Sequence, residues 1–458
     1  MIRALAVALL IGACASAPVG VPSFDHAPEP YVKIKHPEWT RDAVIYQINT
    51  RQFTPEGTFA AAQDELPRLK TLGVDILWLM PIHPIGEVNR KGSLGSPYAV
   101  KDYFAVNPEF GTLEDFQSFV DAAHNQGFHV ILDWVANHTA WDNPLLEQHP
   151  GWYERDWKGD PHPTPWTDWA DIIDLDYSNP DLREYMASAL RYWVEEIGID
   201  GYRADVAGFV PLDFWEDVRA ELDSVKPVFM LAEWQTRDLH ARAFDATYAW
   251  AWKEAAQDIA KGRADAGRMT GYYSELVSTW PHDAMRMLYT SNHDQNAWDG
   301  VASEIYGESL ETFMVLSFIS EGIPAIYNGQ EAGNAKQLEF FEKDPIVWRD
   351  HPHAALIARL TQMKSDTPAL HNAAWGGRTS PVTTDNPQQL LSFMRGRGDT
   401  RVLALFNLSP DPATATLVDG AVAGEWCPLL NGERETLAIG DTLTFEAWGW
   451  RALSLCET

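Results

Sequence analysis

Short apolar segments alternate with amphipathic segments along most of this chain, beginning at Ala43. The apolar segments have the length and composition of strands, and we predict strands at residues 44–48, 75–80, 129–133, 201–205, 228–233, 246–248, 286–290 and 323–327. The segments between them show helical periodicity, most clearly at residues 60–72, 113–126, 181–197 and 212–222. Eight strands that alternate with helices predict an α/β fold, a (β/α)8 barrel over residues 39–375.

Two stretches depart from this alternation. Between the third predicted strand and the next helix, residues 139–179 are rich in tryptophan and show little periodicity. A connection of this length predicts a short inserted subdomain. After residue 375, apolar segments separated by turn residues follow at 390–394, 402–407, 413–418 and 442–445. They predict a C-terminal antiparallel β-sandwich domain over residues 376–458.

Residues 1–14 have the features of an export signal. An apolar run at 4–11 is too short to span a bilayer, and small residues directly precede Cys14. The pattern resembles a bacterial lipoprotein signal with Cys14 as the acylated residue, and an ordinary cleaved signal peptide is the alternative. Both predict an exported protein, periplasmic or at the bacterial cell surface, with residues 15–38 as a tether. In such an oxidising compartment Cys427 and Cys456 either pair or stay free, because the sequence does not give their separation.

The overall charge narrows the range of partners. Asp and Glu total 65 against 35 Lys and Arg, a formal net charge of −30. Such a surface repels phosphate backbones, which argues against nucleic acid as a partner, whereas a neutral substrate is unaffected. The 20 tryptophans suit stacking on sugar rings as well as core packing.

Polar side chains follow the predicted barrel strands at their carboxyl ends, where barrel enzymes carry their catalytic groups. These residues are Asp133, Asn137, His138, Arg203, Asp205, Glu233, His293 and Asp294. Each of them alone has a structural explanation, since buried acidic and basic residues at strand ends often form ion pairs. Their joint placement on one rim favours an active site.

Taken in order, these segments resemble the signature regions of the α-amylase superfamily, glycoside hydrolase family 13. The matching segments are DWVANH at 133–138, GYRAD at 201–205, Glu233 and NHD at 292–294. Ser96-Pro97-Tyr98 and the segment GIPAIYNGQE at 322–331 add to the resemblance, which covers about residues 40 to 375. An ordered set of this kind is far more specific than any one of its motifs.

The resemblance implies a retaining glycosidase, in which two carboxyl groups about 5–5.5 Å apart attack the anomeric carbon and protonate the leaving oxygen. Asp205 is then the nucleophile and Glu233 the general acid/base. Asp294 is the third carboxylate, which grips sugar hydroxyls and stabilises the oxocarbenium-like transition state. Arg203 is expected to keep Asp205 ionised. Neighbouring negative charge and partial desolvation are expected to raise the pKa of Glu233.

Substrate contacts follow from the same resemblance. His138 and His293 are expected to bond hydroxyls of the sugar that is cleaved, and Tyr98 is expected to stack beneath its ring. Asp133 and Asn137 are expected to brace the site from behind. The aromatic residues of the inserted subdomain either form a sugar platform or fill a small core; they are Trp152, Tyr153, Trp157, Trp166 and Trp169.

Many members of the superfamily carry Lys-His soon after the nucleophile, and this histidine makes a calcium contact. Here the corresponding stretch reads Asp205-Val-Ala-Gly208-Phe209. Because both groups are absent, we predict that no metal or cofactor is required. Calcium near Asn137 stays an open alternative.

The leading hypothesis is an extracytoplasmic hydrolase of α-glucans or malto-oligosaccharides. A transglycosylase, or a sucrose- or maltose-type isomerase, would share the covalent intermediate, because the residues do not separate water from sugar as acceptor. A non-catalytic glycan-binding protein on the same barrel would be expected to lack at least one of the three carboxylates. All three are present in this chain.

Overall fold

Eight short parallel strands close into a barrel in the computed structural model of the chain, which describes residues 29–456. In chain order, the strands of the first part of the chain are β1 (Ile45–Ile48), β2 (Ile76–Leu79), β3 (His129–Trp134), β4 (His138–Ala140), β5 (Ile172–Asp174), β6 (Gly201–Ala204), β7 (Phe229–Ala232), β8 (Ala246–Tyr248), β9 (Met285–Leu288) and β10 (Ile323–Tyr327). All but β4 and β5 belong to the barrel, and β10 pairs with β1 to close it. The predicted fold class is confirmed.

The helices surround this barrel. They are α1 (Thr50–Phe53), α2 (Phe59–Asp64), α3 (Leu66–Leu72), α4 (Leu113–Asn125), α5 (Leu145–Gln148), α6 (Pro180–Tyr192), α7 (Leu212–Val225), α8 (Trp250–Ala260), α9 (Ala266–Thr279), α10 (Ala302–Tyr306), α11 (Leu310–Ile319) and α12 (Pro352–Asp366). Side chains that accept hydrogen bonds from the backbone mark the starts of two of these helices. Thr112 and Asp115 form a reciprocal capping box at the start of α4, which satisfies two backbone donors. Asn179 caps α6 directly before Pro180.

Side chains of the barrel strands alternate between two cores. Ile131 of β3 and Leu231 of β7 lie in the core inside the barrel. Their neighbours Val130 and Leu132 lie in the larger core between the strands and the helices. Because successive strand residues point to opposite faces, this alternation fixes which side chains reach the barrel mouth.

Gly201 opens β6 at a point of close backbone approach. Its φ is +146°, and a Cβ there would lie 1.9 Å from the carbonyl oxygen of Phe229 on β7. Any other residue would therefore push β6 away from its neighbour. Glycine at this position keeps Arg203 and Asp205 in register with β7.

The inserted subdomain contains one small antiparallel pair. Strand β4 pairs with β5, His138 with Asp174 and Ala140 with Ile172. A small core joins the subdomain to the connection between β2 and α4, since Ala140 and Ile172 are buried together with Ile85 and Ala99. The subdomain lies directly after β3, at the mouth of the barrel where β3 ends.

The C-terminal domain is antiparallel, as predicted. Its strands are β11 (Thr379–Pro381), β12 (Leu390–Arg397), β13 (Thr400–Asn407), β14 (Ala413–Thr416), β15 (Gly424–Pro428), β16 (Glu435–Leu437), β17 (Thr442–Phe445) and β18 (Trp450–Leu455). Six form one sheet in the order β11-β12-β13-β18-β15-β16, and β14 and β17 form a second. Both sheets contribute to one core, with Leu403 and Leu405 on one side and Ala415 and Leu443 on the other.

A disulfide joins Cys427 on β15 to Cys456 directly after β18, with the two Cα atoms 5.2 Å apart. Strands β15 and β18 are paired, Cys427 with Ser454, so the fold itself brings the two cysteines together. The pairing that the sequence left open is therefore present. A cross-link of this type limits the unfolded chain and stabilises the domain.

The predicted signal at residues 1–14 and most of the predicted tether lie outside the described residues. One compact unit begins at Val32, before the predicted barrel boundary at residue 39. The backbone N–H of Lys33 donates to Ala241, and His36 Nδ1 lies 2.6 Å from Asp245 Oδ1. Between residues 29 and 456, no helix combines the length and the apolar character that a bilayer crossing requires.

Candidate active site

The alternation along the strands brings four charged residues to the barrel mouth. Asp133 follows Ile131 by two residues on β3, and Glu233 follows Leu231 by two residues at the end of β7. Arg203 and Asp205 continue the same face from Gly201. Because a two-residue step keeps a side chain on one face, all four point into the barrel rather than toward the helices.

Arg203 is the centre of this group and is completely buried. Its Nη1 donates to Asp133 Oδ1 at 2.7 Å and to Asp205 Oδ1 at 3.0 Å. Its Nη2 lies 2.9 Å from Glu233 Oε1. Burial alone would lower the pKa of Arg203. The charges of Asp133 and Glu233 raise it by a larger amount, so the pKa lies well above its usual value. One guanidinium therefore stays charged and holds both predicted catalytic carboxylates.

Burial raises the pKa of both catalytic carboxylates. The pKa of Glu233 reaches about 8, because burial and the charges of Asp205 and Asp294 outweigh Arg203. The pKa of Asp205 reaches about 7, again through burial, with Arg203 opposing the rise. Arg203 favours ionisation of the nucleophile, as expected, but burial outweighs it. The charge of Asp205 in turn raises the pKa of Glu233, so the acid keeps its proton when the nucleophile is ionised.

Asp133 supports the site from inside the barrel. Its Oδ2 accepts from Trp78 Nε1 at 3.2 Å and from the Tyr98 hydroxyl at 3.1 Å. With Arg203 on its other oxygen, the carboxylate has a partner on each side. Asp133 has no access to solvent, so its role is to position Arg203 and Tyr98 rather than to contact a sugar.

His293 positions Tyr98. Its Nδ1 lies 2.7 Å from Gln47 Nε2, and its Nε2 lies 2.6 Å from the Tyr98 hydroxyl. Burial lowers the pKa of His293 to about 4, so the ring is neutral and has one donor and one acceptor. With the Gln47 amide as donor, His293 Nε2–H donates to Tyr98, whose hydroxyl donates to Asp133. Both ring nitrogens are therefore engaged within the protein, and the sugar contact predicted for His293, which would have to replace one of these bonds, stays a prediction.

The remaining predicted residues lie around the same opening. The Asp294 side chain is 42% exposed, and its Oδ2 lies 3.3 Å from His293 Nε2. His138 is buried and its pKa is lowered to about 3 by burial, so it too is a neutral hydrogen-bonding group. Asn137 lies behind it and contacts His138 Nδ1 at 3.2 Å.

Val206 is a site residue that the sequence did not reveal. It follows the nucleophile with φ 36° and ψ 47°, a left-handed conformation that is strained for a β-branched residue. In this conformation its backbone N–H donates to Glu233 Oε2 at 2.8 Å. The strained turn therefore links the nucleophile segment directly to the acid, and a side-chain pattern cannot predict it.

These residues open into a cleft of about 470 Å³, a size typical of small-molecule sites. Asp205, Glu233, Asp294, Tyr98, His138 and His293 all line it. The sequence did not single out six further lining residues, of which two belong to the inserted subdomain; they are Lys91, Asp168, Asp171, Trp298, Phe340 and Phe341. Their sequences have no periodicity or motif, so only the fold brings them here.

The aromatic residues of the inserted subdomain do not form a single platform. Trp152 and Tyr153 are buried, and Trp157 and Trp166 are almost fully exposed, at 88% and 104%. Trp169 alone of the five lines the cleft, with its ring 5.8 Å from that of His138. The burial of Trp152 and Tyr153 fits the core-packing alternative, whereas a sugar contact at Trp169 stays a prediction.

Asn137 is hydrogen-bonded to its neighbours, whereas calcium takes six to eight oxygen ligands. Asp174 is the carboxylate beside Asn137, and its Oδ1 accepts from Asn137 Nδ2 at 3.1 Å and from the Thr164 hydroxyl at 2.5 Å. A calcium ion at this position would have to displace these hydrogen bonds, and the absence of a metal requirement stays a prediction. Within residues 29–456, no three His, Cys, Asp or Glu side chains are arranged to hold a metal ion.

Comparisons with known proteins match this architecture. Residues 40–171 and 166–380 match the family profile described as "Alpha amylase, catalytic domain", and residues 382–451 match "Alpha amylase, C-terminal all-beta domain". The chain is 28% identical to alpha-amylase MalA of Haloarcula japonica, over 90% of this chain and 63% of the relative. The chain therefore spans less than two thirds of that relative's length.

Two solved structures are similar at higher identity. One is a noncanonic maltogenic alpha-amylase, AmyB, from Thermotoga neapolitana, with a TM-score of 0.83, 30% identity and coverage of 91% of this chain and 99% of that one. The other is an alpha-amylase from Lactobacillus plantarum, with a TM-score of 0.81, 32% identity and coverage of 91% and 100%. Barrel and C-terminal domain together account for these matches.

Proposed function

This chain belongs to the alpha-amylase family, and from its site we propose that it is a retaining hydrolase of α-glucans or malto-oligosaccharides. The observation that carries the proposal is the Arg203 guanidinium, which contacts both Asp205 and Glu233 at the floor of an open cleft. A single buried cation holds the two carboxyl groups close together at the barrel mouth, where they can flank a glycosidic bond. A double-displacement reaction needs this arrangement.

In the first step Glu233, in its protonated form, donates its proton to the glycosidic oxygen. The Asp205 carboxylate attacks the anomeric carbon as the bond from that carbon to the leaving oxygen breaks. The products are a glycosyl ester on Asp205 and a free sugar hydroxyl. The charge of the ionised Asp205 raises the pKa of Glu233, so Glu233 keeps its proton while Asp205 is ionised.

In the second step the Glu233 carboxylate takes a proton from water, and the water oxygen attacks the anomeric carbon. The ester bond to Asp205 breaks, and both carboxyl groups return to their first states. Asp294, which lies at the opening beside His293, stabilises the positive charge that develops on the sugar in both steps. Tyr98, held by His293 and Asp133, supports the ring of that sugar.

The test is a time-resolved product analysis on starch, pullulan, cyclodextrin, maltose and trehalose. We expect release of α-configured reducing ends from starch, and no release by Asp205→Asn. A glycan-binding protein would bind starch without forming products. A transglycosylase or isomerase would form new linkages at the expense of reducing ends.

We also infer that the protein is exported and attached to a membrane through an acylated Cys14. The inference rests on the apolar run before Cys14. The Cys427–Cys456 disulfide supports an oxidising compartment, because disulfides persist there. Growth with an alkyne-labelled fatty acid tests it: wild-type protein takes up the label and Cys14→Ala does not, whereas equal labelling would contradict the attachment.

A further inference from the structure

Three loops meet at Lys91 on one side of the cleft. Lys91 comes from the connection between β2 and α4, and its Nζ donates to the Asp168 carbonyl of the inserted subdomain at 2.6 Å. The same Nζ lies 3.7 Å from the buried Asp171 carboxylate and 5.9 Å from the centre of the Phe341 ring. Phe341 belongs to the connection after β10. We refer to these four residues as the Lys91 bridge.

Backbone contacts reinforce the junction beside Lys91. The backbone N–H of Ser93 donates to Glu342 Oε1 at 2.6 Å, and that of Leu94 donates to the Phe341 carbonyl at 3.2 Å. At Gly92 the two loops are so close that a Cβ would lie 2.5 Å from Phe341 Cβ. The β2–α4 connection and the connection after β10 therefore form a continuous wall.

The Lys91 bridge adjoins the residues that surround the donor sugar, the sugar that becomes attached to Asp205. Phe341 contacts Phe340, whose ring is stacked with that of Tyr98 at 6.2 Å between centres. On the other side, Trp169 follows Asp168 and contacts His138. Tyr98 and His138 are two of the three side chains assigned to that sugar, so the wall stands on the donor side of the cleft.

The leaving-group side is built differently. Glu233 protonates the leaving oxygen, and the adjacent Trp234 contacts Phe209, with ring centres 5.3 Å apart. Phe209 is 48% exposed, so the surface beside the acid is aromatic and open to solvent. A glucan chain can extend in this direction, toward its reducing end.

From this asymmetry we infer that the Lys91 bridge closes the donor end of the cleft, so that the enzyme cleaves α-glucans from their non-reducing ends. The inference rests on the proposed hydrolase function. A cleft closed on one side accepts a chain end but not the middle of a polymer, because the polymer would have to pass through the wall. Short products are therefore released from the non-reducing end, and internal bonds are spared.

Lys91 is the specificity-determining residue of this wall. It is the side chain that joins the inserted subdomain to the other two loops at the cleft, through a charge-assisted hydrogen bond and an ion pair. Lys101 offers a matched control. It forms an ion pair at 2.8 Å with Asp142 of the same subdomain, but it lies outside the cleft lining.

The experiment compares two maltoheptaosides that carry the same reducing-end label and differ only in a bulky acetal that blocks the non-reducing end. We expect wild-type enzyme and Lys101→Ala to cleave the blocked substrate at least about a hundredfold more slowly than the free one. Lys91→Ala should cleave the blocked substrate at least about tenfold faster than wild-type enzyme does. If Lys91→Ala alone leaves the wall in place, the double variant Lys91→Ala/Glu342→Ala should show this increase in the rate on the blocked substrate.

Comparable wild-type rates on both substrates would overturn the inference, while the release of products would still support the hydrolase function. Blocked-substrate rates that stay at the wild-type level in both Lys91 variants would also overturn it. Failure to cleave even the unblocked substrate would instead contradict the proposed function.

Discussion

Replacement of Arg203 by methionine is the perturbation whose consequences the structure defines most fully. The substitution keeps much of the side-chain volume but removes the cation shared by Asp133, Asp205 and Glu233. Removing one partner from a buried ion pair costs about 3–5 kcal/mol. We expect a loss of this size in the free energy of unfolding near pH 8, together with loss of activity.

The loss should depend on pH in a definite direction. Burial already raises the pKa of Asp133 to about 7 while Arg203 opposes the rise. Without Arg203 the three carboxyl groups hold their protons to still higher pH in the folded state. A carboxyl group whose folded pKa exceeds its unfolded value makes the protein less stable as pH rises. The stability deficit of Arg203→Met should therefore be smaller at pH 5 than at pH 8.

Urea unfolding at pH 5 and pH 8 measures this deficit, and Arg395→Met provides the control. Arg395 is equally buried, but its hydrogen bonds go to the carbonyls of Gly377, Ile319, Ser320 and His371. Its loss should destabilise the protein to a similar extent at both pH values. If the Arg203→Met deficit were below about 1 kcal/mol, or equal at both pH values, the shared-cation account would be refuted.

Three further predictions follow from the site. The pH profile of kcat/KM should rise as Asp205 loses its proton near pH 7 and fall as Glu233 loses its proton near pH 8; a profile that is flat between pH 6 and 9 would contradict these assignments. Glu233→Gln should slow glycosylation by starch far more than by α-glucosyl fluoride, because fluoride leaves without protonation; equal losses in pre-steady-state rates would exclude Glu233 as the acid. Extended chelator treatment should leave activity and the melting temperature unchanged, because Asn137 and Thr164 donate to Asp174; losses restored by calcium would overturn this prediction.

The barrel was predictable because short apolar segments, typical of strands buried on both faces, alternate with segments of helical periodicity. Arg203 and Asp205 were found because they lie at the carboxyl end of a predicted strand and match the motif of the resemblance. Strands β15, β16 and β18 were missed because their polar residues mask the alternation, and β16 has only three residues. The pairing of β15 with β18 brings Cys427 and Cys456 together, and no sequence pattern predicts that pairing.

Other features of the site depend on contacts between distant segments. Lys91, Phe341 and Asp171 approach one another only because three loops of different origin meet at the cleft. The backbone donor of Val206 depends on a conformation that its side chain disfavours. The raised pKa of Asp205 reflects burial that outweighs Arg203, and the balance between the two follows from the packing rather than from the residue types.

Trapping of the glycosyl-enzyme tests the central claim most directly. A 5-fluoro-α-glucosyl fluoride retains a good leaving group, while its ring fluorine destabilises the oxocarbenium-like transition state and slows release of the sugar. After brief reaction and proteolysis, mass spectrometry should find one fluoroglucosyl group on the peptide that contains Asp205, and none in the Asp205→Asn variant. A label on Asp294 or Glu233, or equal labelling of Asp205→Asn, would contradict Asp205 as the nucleophile.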